Sequence, residues 1–205
     1  MKKLLVLLFS IFFLSSPSVF ADDISDFEIE GISIGDNLLD YMTEEEILKE
    51  IEKNINRYPE LKEPFKYIQI NLYKDFPTYD GLAFLIKNNS INQYVTDKND
   101  KYTILSFFGE ITFNEDFDGC IKKRDEIAEI LSNKFPNAQK REVIETQDVN
   151  YTAWEGTEFT FTSEFDIEVF CIDYEENYRN KNNWSEGLRI AITSKEIIAW
   201  LHDKH

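Results

Sequence analysis

Histidine is almost missing from this chain. The 205 residues contain two, His202 and His205, and both lie in the last four positions. Serine and cysteine nucleophiles usually need a histidine base, and zinc sites usually draw their nitrogen ligands from histidine. Neither a catalytic triad nor a zinc site is therefore expected. At most, the two histidines could form an isolated metal-binding pair at a C-terminus that we expect to be frayed.

Glycine is also scarce, with seven residues in the chain. The stretch "IEGISIGDNLLDYMTEEEILKEI" (29–51) contains Gly31 and Gly35. It lacks both the third glycine of a dinucleotide-binding loop and the Lys-Ser/Thr pair of a phosphate-binding loop. Thr43 and Glu46 in the same stretch have the spacing of a capping box at the start of a helix. We therefore interpret this stretch as scaffold, a strand and a turn that lead into a helix.

Long apolar runs are confined to the N-terminus, where Lys2 and Lys3 precede the run Leu4–Leu14. This run is too short to span a bilayer comfortably. It is followed by residues typical of a signal-peptidase cleavage site, which ends in Ala21. The pattern predicts a secretory signal peptide over residues 1–21, with cleavage after Ala21. The mature chain, residues 22–205, is expected to be secreted or periplasmic and soluble, with no membrane insertion after cleavage.

Basic residues are outnumbered. The chain has 22 Lys and Arg against 39 Asp and Glu, which gives a formal net charge of −17. Such a charge repels phosphate backbones and anionic lipid headgroups, so nucleic acid and membrane surfaces are poor partners. The simplest role of this charge is solubility. Where it does attract a partner, we expect a basic protein or an envelope component.

Cysteine occurs twice, at Cys120 and Cys171. In an oxidising compartment, two lone cysteines are more often paired than free. Closing this loop would stabilise the fold by about 4 kcal/mol on the chain-entropy estimate. The alternative is a pair of buried thiols.

The remaining pattern predicts an α+β fold: a single domain with a mainly antiparallel sheet and about three helices packed on it. The first helix begins after Thr43 and is stopped by Pro59, and the second runs from Asp118 to Lys134. The third is "SKEIIAWLH" (194–202), with Thr193 and Glu196 as its capping box. Residues 175–186 are expected to form a polar loop. The predicted strands are FEIEGISIG (27–35), FKYIQINLY (65–73), GLAFLIK (81–87), INQYVTD (91–97), YTILSFFGEITF (102–113), EFTFTSEF (158–165), DIEVFCIDY (166–174) and GLRIAIT (187–193).

The segment "NEDFDGCIKKRD" (114–125) resembles a calcium-binding EF-hand loop. Oxygen-bearing side chains occupy loop positions 1, 3, 5 and 12, and Gly119 occupies position 6. These side chains belong to Asn114, Asp116, Asp118 and Asp125. However, the loop starts with Asn and ends with the short Asp, and the second helix begins inside it. The alternative is an acid-rich helix start with Asp118 as the cap, so calcium binding is a hypothesis that rests on this segment alone.

Paired carboxylates could hydrolyse a cell-wall or polysaccharide substrate without any histidine. The least arbitrary candidate is Glu155 beside Trp154, because an apolar neighbour can keep a carboxylic acid protonated. The surrounding "NYTAWEG" has the aromatic content of a loop that stacks on sugars. The alternative is an ordinary aromatic loop anchored at the edge of the core.

The opening pattern, together with "DGCIKKRDEIAEIL" and "LRIAITSKEIIAWL", resembles a family of small exported bacterial proteins. Members of this family begin with a similar "IEG-(I/M)-S-(I/V)-GD" run, and the likeness extends over most of the mature chain. The shared residues are hydrophobic and turn-forming, so the resemblance implies a shared fold. It carries no functional residue. Asn37 stands where the family pattern has Ser.

Taken together, these features predict a non-enzymatic binding or accessory module of the cell envelope or the extracellular space. No catalytic residue and no firm cofactor is predicted. The alternatives are a carboxylate-dependent hydrolase and a calcium-binding module. Two acids about 5–10 Å apart in an aromatic-lined cleft would favour the hydrolase.

Overall fold

A computed structural model describes residues 27–91, 93–95, 97, 100–146, 151–162, 165–182 and 184–205. The predicted signal peptide lies outside the described residues. The described chain is a single α+β domain in which helices pack on a seven-stranded antiparallel sheet, with a small two-stranded hairpin beside it. The predicted fold class is therefore confirmed.

The hairpin strands come first and the strands of the large sheet follow. They are β1 Glu28–Ile29, β2 Ile32–Ser33, β3 Tyr67–Leu72, β4 Gly81–Lys87, β5 Ser106–Thr112, β6 Gln139–Thr146, β7 Tyr151–Thr160, β8 Phe165–Tyr174 and β9 Gly187–Ser194. The helices are α1 Glu44–Asn54, α2 Phe117–Lys134, α3 Glu176–Asn182 and α4 Lys195–His202. The order across the large sheet is β3-β4-β5-β9-β8-β7-β6, and every neighbouring pair is antiparallel.

Alternation along the strands gives the sheet two unlike faces. On one face, apolar side chains such as Ile70, Phe84 and Ile190 are buried beneath α1, α2 and the hairpin. We call this the covered face. The opposite face, which carries Ala83 and Arg189, we call the open face. At one end of the open face, Trp200 of α4 joins a second, smaller core.

The pairing of Cys120 with Cys171 is present and joins α2 to β8. Both cysteines are buried, and their Cα atoms are 6.0 Å apart. The bond therefore attaches the main helix of the covered face to the middle of the sheet.

The cap of α2 differs from the predicted one. Asp116, not Asp118, accepts a hydrogen bond from the backbone N–H of Gly119 at 3.0 Å. A Cβ atom at residue 119 would lie 2.2 Å from the Asp116 carboxylate, so glycine there makes room for the cap. Asp118 instead lies in the first turn, where the helix dipole favours a negative charge.

The capping box of α1 is confirmed. The Thr43 N–H donates to the Glu46 carboxylate at 2.8 Å, and the Glu46 N–H donates to the Thr43 hydroxyl at 3.3 Å. The helix ends at Asn54, however, several residues before Pro59. The Asn54 amide donates to the carbonyl of Glu50 at 3.0 Å, and the chain then turns so that Tyr58 reaches the open face of β3.

The predicted cap of α4 is wrong by one residue. Ser194, the last residue of β9, accepts the hydrogen bond from the N–H of Ile197. Thr193 points to the open face, where its hydroxyl lies 3.0 Å from the Ser106 hydroxyl. Glu196 accepts a hydrogen bond from the Tyr67 hydroxyl and does not close a capping box.

The predicted strand 27–35 is a hairpin. Glu30 and Gly31 both adopt positive φ, 54° and 75°, which is the backbone that a two-residue hairpin turn requires. Within the predicted strand 91–97, the described residues 91, 93–95 and 97 hold no strand. The predicted strand 158–165 is also placed differently, because β7 already begins at Tyr151.

Two elements were not predicted. β6 is an edge strand with the sequence QKREVIET, whose charged residues leave little apolar alternation. α3 lies in the segment expected to be a polar loop, and it is a helix of seven residues without a long apolar stripe. The expected fraying of the C-terminus is wrong as well. The backbone of Lys204 forms an isolated antiparallel β-bridge with that of Leu61, and the His205 N–H donates to the Glu60 carbonyl at 3.3 Å.

Replacing both cysteines by alanine, Cys120→Ala with Cys171→Ala, should lower the free energy of unfolding by about 4 kcal/mol. Without the disulfide, which closes a long loop, the denatured chain gains conformational entropy. Urea titration followed by circular dichroism would measure the difference. A reductant should shift the wild-type midpoint in the same direction and leave the double variant unchanged. Equal midpoints for the oxidised wild type and the variant would contradict a stabilising bond.

Candidate functional site

A cleft of about 580 Å³ lies on the open face. Strand register builds its floor, because residues paired across antiparallel strands lie side by side. In one row, Phe170 pairs with Arg189, which pairs with Glu110, which pairs with Gly81. The cleft therefore crosses from β8 to β4 over a polar pair flanked by a ring on one side and a glycine on the other.

Small residues make the floor concave. Gly81 and Ala83 lie where β4 crosses the cleft, with the larger side chains of Phe108 and Asn71 beside Ala83 in the next row. A Cβ atom at residue 81 would lie 3.6 Å from the Tyr73 ring, so this ring lies against the glycine. A bulky residue at either small position would fill the cleft from below.

Arg189 is held in place at the centre of the floor. Its Nη1 donates to the Tyr174 hydroxyl at 2.9 Å, and its Nη2 lies 3.7 Å from a carboxylate oxygen of Glu110. Glu110 also accepts a hydrogen bond from the Ser185 hydroxyl. Burial raises the pKa of Tyr174 although Arg189 opposes this shift, so Tyr174 stays neutral and polar at physiological pH. The cation and the anion are thus both compensated and fixed in position.

A chain of hydrogen bonds forms the wall along β3. The Tyr58 hydroxyl donates to Gln69 at 2.9 Å, Gln69 donates to Asn71 at 2.8 Å, and Asn71 donates to Glu50 at 2.8 Å. Glu50 also accepts the backbone N–H of Asn71 at 3.1 Å and the ammonium of Lys53 at 3.1 Å. Burial alone would raise the pKa of Glu50, but the hydrogen bonds from Asn71 and Lys53 outweigh burial and lower it.

An exposed aromatic ring borders the cleft at each end. Tyr73 is 72% exposed beside β4, and Trp184 is 40% exposed above β8. Trp184 is supported from below, because its ring centre lies 5.1 Å from that of Tyr174 and 5.3 Å from that of Tyr178. Rings held in this way offer flat apolar surface at little entropic cost.

The charge of the cleft differs from that of the chain. Its charged side chains are three cations, Lys53, Arg57 and Arg189, and two anions, Asp80 and Glu110. The chain as a whole carries −17. The cleft is therefore close to neutral on an acidic protein.

The predicted pair Trp154 and Glu155 is not brought together. Consecutive strand residues point to opposite faces. Trp154 lies on the open face with its ring centre 5.2 Å from that of Phe170, and Glu155 lies on the covered face, 3.4 Å from a guanidinium nitrogen of Arg124. The carboxylate thus lies beside a cation, and the indole lies on the other side of the sheet.

Two of the four calcium-loop candidates are engaged in other contacts. Asp116 caps α2, and Asp125 accepts from the Arg124 guanidinium at 2.7 Å. Asn114 has a positive φ of 45° in the turn before the helix, and Asp118 is exposed in the first helical turn. In the part of the chain that the structure describes, no three His, Cys, Asp or Glu side chains are grouped to hold a metal ion. Calcium binding stays a hypothesis.

A pair of acidic residues lies on the open face beside the cleft. Glu158 and Glu168 are directly opposite each other on β7 and β8. Arg141 of β6 donates to Glu158 at 2.6 and 2.9 Å. Burial raises the pKa of Glu168, and the nearby carboxylates of Glu158 and Asp166 raise it further.

Sequence reasoning missed most of the cleft, because its residues come from separate segments that only the register brings together. Arg189 could have been noticed, since it interrupts the otherwise apolar strand GLRIAIT. The small residues Gly81 and Ala83 in the strand GLAFLIK were a second signal. Neither signal identifies the cleft without knowledge of which strands are neighbours.

The chain matches no protein-family model, no curated protein and no solved structure. The resemblance to small exported bacterial proteins therefore stays a prediction. Over the described residues, no helix has the length and apolar character needed to cross a membrane.

Replacing Glu168 by glutamine should stabilise the fold at neutral and alkaline pH. A raised pKa means that the folded state binds the Glu168 proton more tightly than the unfolded state, so ionisation of this group destabilises the fold as the pH rises through that pKa. Urea titrations at about pH 8 and about pH 4 should show a gain at the higher pH that shrinks at the lower one. The exposed Glu129→Gln variant is the matched control. An equal gain at both pH values would contradict the assignment.

Proposed function

We propose that this protein is an exported, non-enzymatic binding module that holds its ligand in the cleft of the open face. The observation that carries the proposal is the cleft itself. Tyr73 and Trp184 expose rings at its two ends, and the Arg189–Glu110 pair lies fixed between them. A concave site with aromatic sides and a few fixed polar groups is the usual form of a ligand site.

The polar groups of the floor favour recognition over bond breaking. Glu110 is bound by Ser185 and lies near Arg189, and Asp80 accepts the backbone N–H of Thr112 at 2.6 Å. Groups that are already held by partners within the protein can orient a bound molecule, because little reorganisation is needed when it binds.

The proposed location is the secreted or periplasmic space. The apolar run after Lys2 and Lys3 supports a signal peptide cleaved after Ala21. The disulfide between Cys120 and Cys171 supports an oxidising compartment. The ligand is then an envelope or extracellular component, and the acidic surface outside the cleft would favour a basic protein as an additional partner.

Filling the cleft from its floor should abolish binding. Ala83→Phe places a ring at a small residue of the cleft floor on β4. Thr160→Phe places the same ring on the open face of β7, outside the cleft. We expect immobilised wild type and Thr160→Phe to retain the same envelope component, and Ala83→Phe to retain at least about tenfold less, because the ring occupies the ligand's place. Quantitative mass spectrometry of the eluates measures the ratio, and circular dichroism confirms that all three proteins are folded.

Two outcomes would contradict the proposal. Retention of the same component by Ala83→Phe would place the binding surface elsewhere. A wild type that retains nothing above the level of a blank matrix, across envelope and culture-medium fractions, would argue against a binding module.

A carboxylate-dependent hydrolase is the second candidate, because Asp80 and Glu110 both line the aromatic cleft. Their backbones are neighbours, with the Asp80 N–H donating to the Glu110 carbonyl at 2.9 Å. Turnover of a defined polysaccharide that is lost in both Glu110→Gln and Asp80→Asn would establish the hydrolase. Binding without turnover would support the module.

A further inference from the structure

We propose that the ligand of this cleft is an uncharged saccharide chain of several sugar rings. This inference rests on the proposed function, in that it assumes the cleft to be the binding site, and it adds the chemical class of the ligand. Four features of the described residues carry it: the local charge, the exposed rings, the paired polar groups and the length of the cleft.

The local charge favours a neutral ligand. An anionic ligand would approach a chain of net charge −17, which repels it. A cationic ligand would be attracted to the surface, but the two carboxylates of the cleft lining are already hydrogen-bonded, Glu110 to Ser185 and Asp80 to the backbone of Thr112. A neutral molecule is penalised by neither effect, and its binding does not require the compensated Arg189–Glu110 pair to be broken.

The exposed rings suit a molecule with apolar faces and polar edges. A pyranose ring presents C–H groups on its faces and hydroxyl groups around its rim, so it packs a face on an aromatic ring while its edge stays hydrogen-bonded. Tyr73 and Trp184 are available for this packing because they are exposed at opposite ends of the cleft. A fully apolar ligand would shield the polar groups between the two rings from water without offering them any hydrogen bond.

The polar groups between the rings come in fixed pairs. Arg189 and Glu110 offer donors and acceptors side by side on neighbouring strands, and the amides of Gln69 and Asn71 do the same along β3. A hydroxyl group donates one hydrogen bond and accepts others, so adjacent hydroxyls on a sugar ring match adjacent donor and acceptor groups. The planar guanidinium suits two such contacts at once, which a lysine does not.

The length of the cleft favours a chain over a single sugar. From the wall along β3 to Phe170 on β8, the cleft crosses five strands, which is about 19 Å at the usual strand spacing. A volume of about 580 Å³ is within the range of sites that hold ligands larger than one ring.

Isothermal titration calorimetry on the mature protein tests the proposal with named probes. The neutral probes are cellohexaose, maltohexaose and N-acetylchitohexaose, and the charged comparators are a hyaluronan hexasaccharide and fully deacetylated chitohexaose. We expect at least one neutral probe to bind about tenfold or more tightly than both charged ones. Its affinity should stay unchanged between about 0.05 and 0.5 M salt, because no ion pair with the ligand is screened.

Matched variants locate the site. Arg189→Lys keeps the charge and removes the planar fork, and Arg141→Lys makes the same change in the other arginine–glutamate pair of the open face, outside the cleft. Trp184→Ala removes an exposed ring of the cleft, and Phe65→Ala removes a ring that is also 40% exposed but lies elsewhere. We expect about a tenfold loss of affinity in Arg189→Lys and Trp184→Ala and no loss in the two controls. Tyr73→Ala gives a second test, because Tyr73 is too exposed to support the fold.

The outcomes separate this inference from the proposed function. Tighter binding of a charged probe or of a peptide, lost in Trp184→Ala, overturns the saccharide and leaves the binding module standing. Binding of a neutral probe that survives in Trp184→Ala, Tyr73→Ala and Arg189→Lys overturns the assignment of the site. No binding of any probe class at millimolar concentration, together with no retention of envelope components, overturns both.

Discussion

The structure depends on a constraint of antiparallel sheets: successive side chains point to opposite faces, so helices on one side bury only that face, and here α4 covers just one end of the other face. Here α1, α2 and the hairpin take the covered face, and the disulfide ties α2 to β8 beneath them. The strands must then carry apolar residues on the covered face and mainly polar or small residues on the open face, which meets water. The floor of the cleft is formed by the residues that the strands carry on the open face.

The two edges of the sheet are protected by different means, and both affect the cleft. At β3, Glu50 of α1 accepts a backbone N–H of the edge strand, which satisfies a donor that could otherwise pair with another chain. The same carboxylate anchors the Asn71 side of the cleft wall. At β6, the edge carries Lys140, Arg141 and Glu142, whose charges disfavour pairing with another strand. Arg141 also bridges to Glu158 and keeps part of the acidic charge of the open face compensated.

The sequence predicted the elements whose patterns come from burial. The strand 81–87 matches β4 at both ends, because a short apolar run bounded by a glycine and a lysine is typical of a strand that is buried over much of its length. The box at Thr43 was also readable, because capping is a local interaction. β6 and α3 escaped prediction because neither buries a regular apolar stripe, and the cap at Thr193 was misplaced because β9 continues one residue further.

The candidate site was harder to predict for a different reason. Glu110 faces Arg189, and Phe170 flanks Arg189, only through the order of β5, β9 and β8, in which β9 pairs on one side with the preceding strand β8 and on the other with β5, which is far from it in the sequence. A sequence shows which residues can line a face but not which strands become neighbours. The pair Trp154–Glu155 shows the converse case, because these neighbours in the sequence lie on opposite faces of the sheet.

The placement of charge completes the picture. A chain with 39 acids and 22 bases could easily form an acidic cleft, yet the three bases that line this one are balanced by two lining acids and by Glu50, which binds Lys53 at the wall. Compensating the floor leaves shape and hydrogen bonding to determine what binds, while the surrounding negative charge repels anionic surfaces. A nearly neutral cleft on an acidic surface suits the uncharged ligand that we propose.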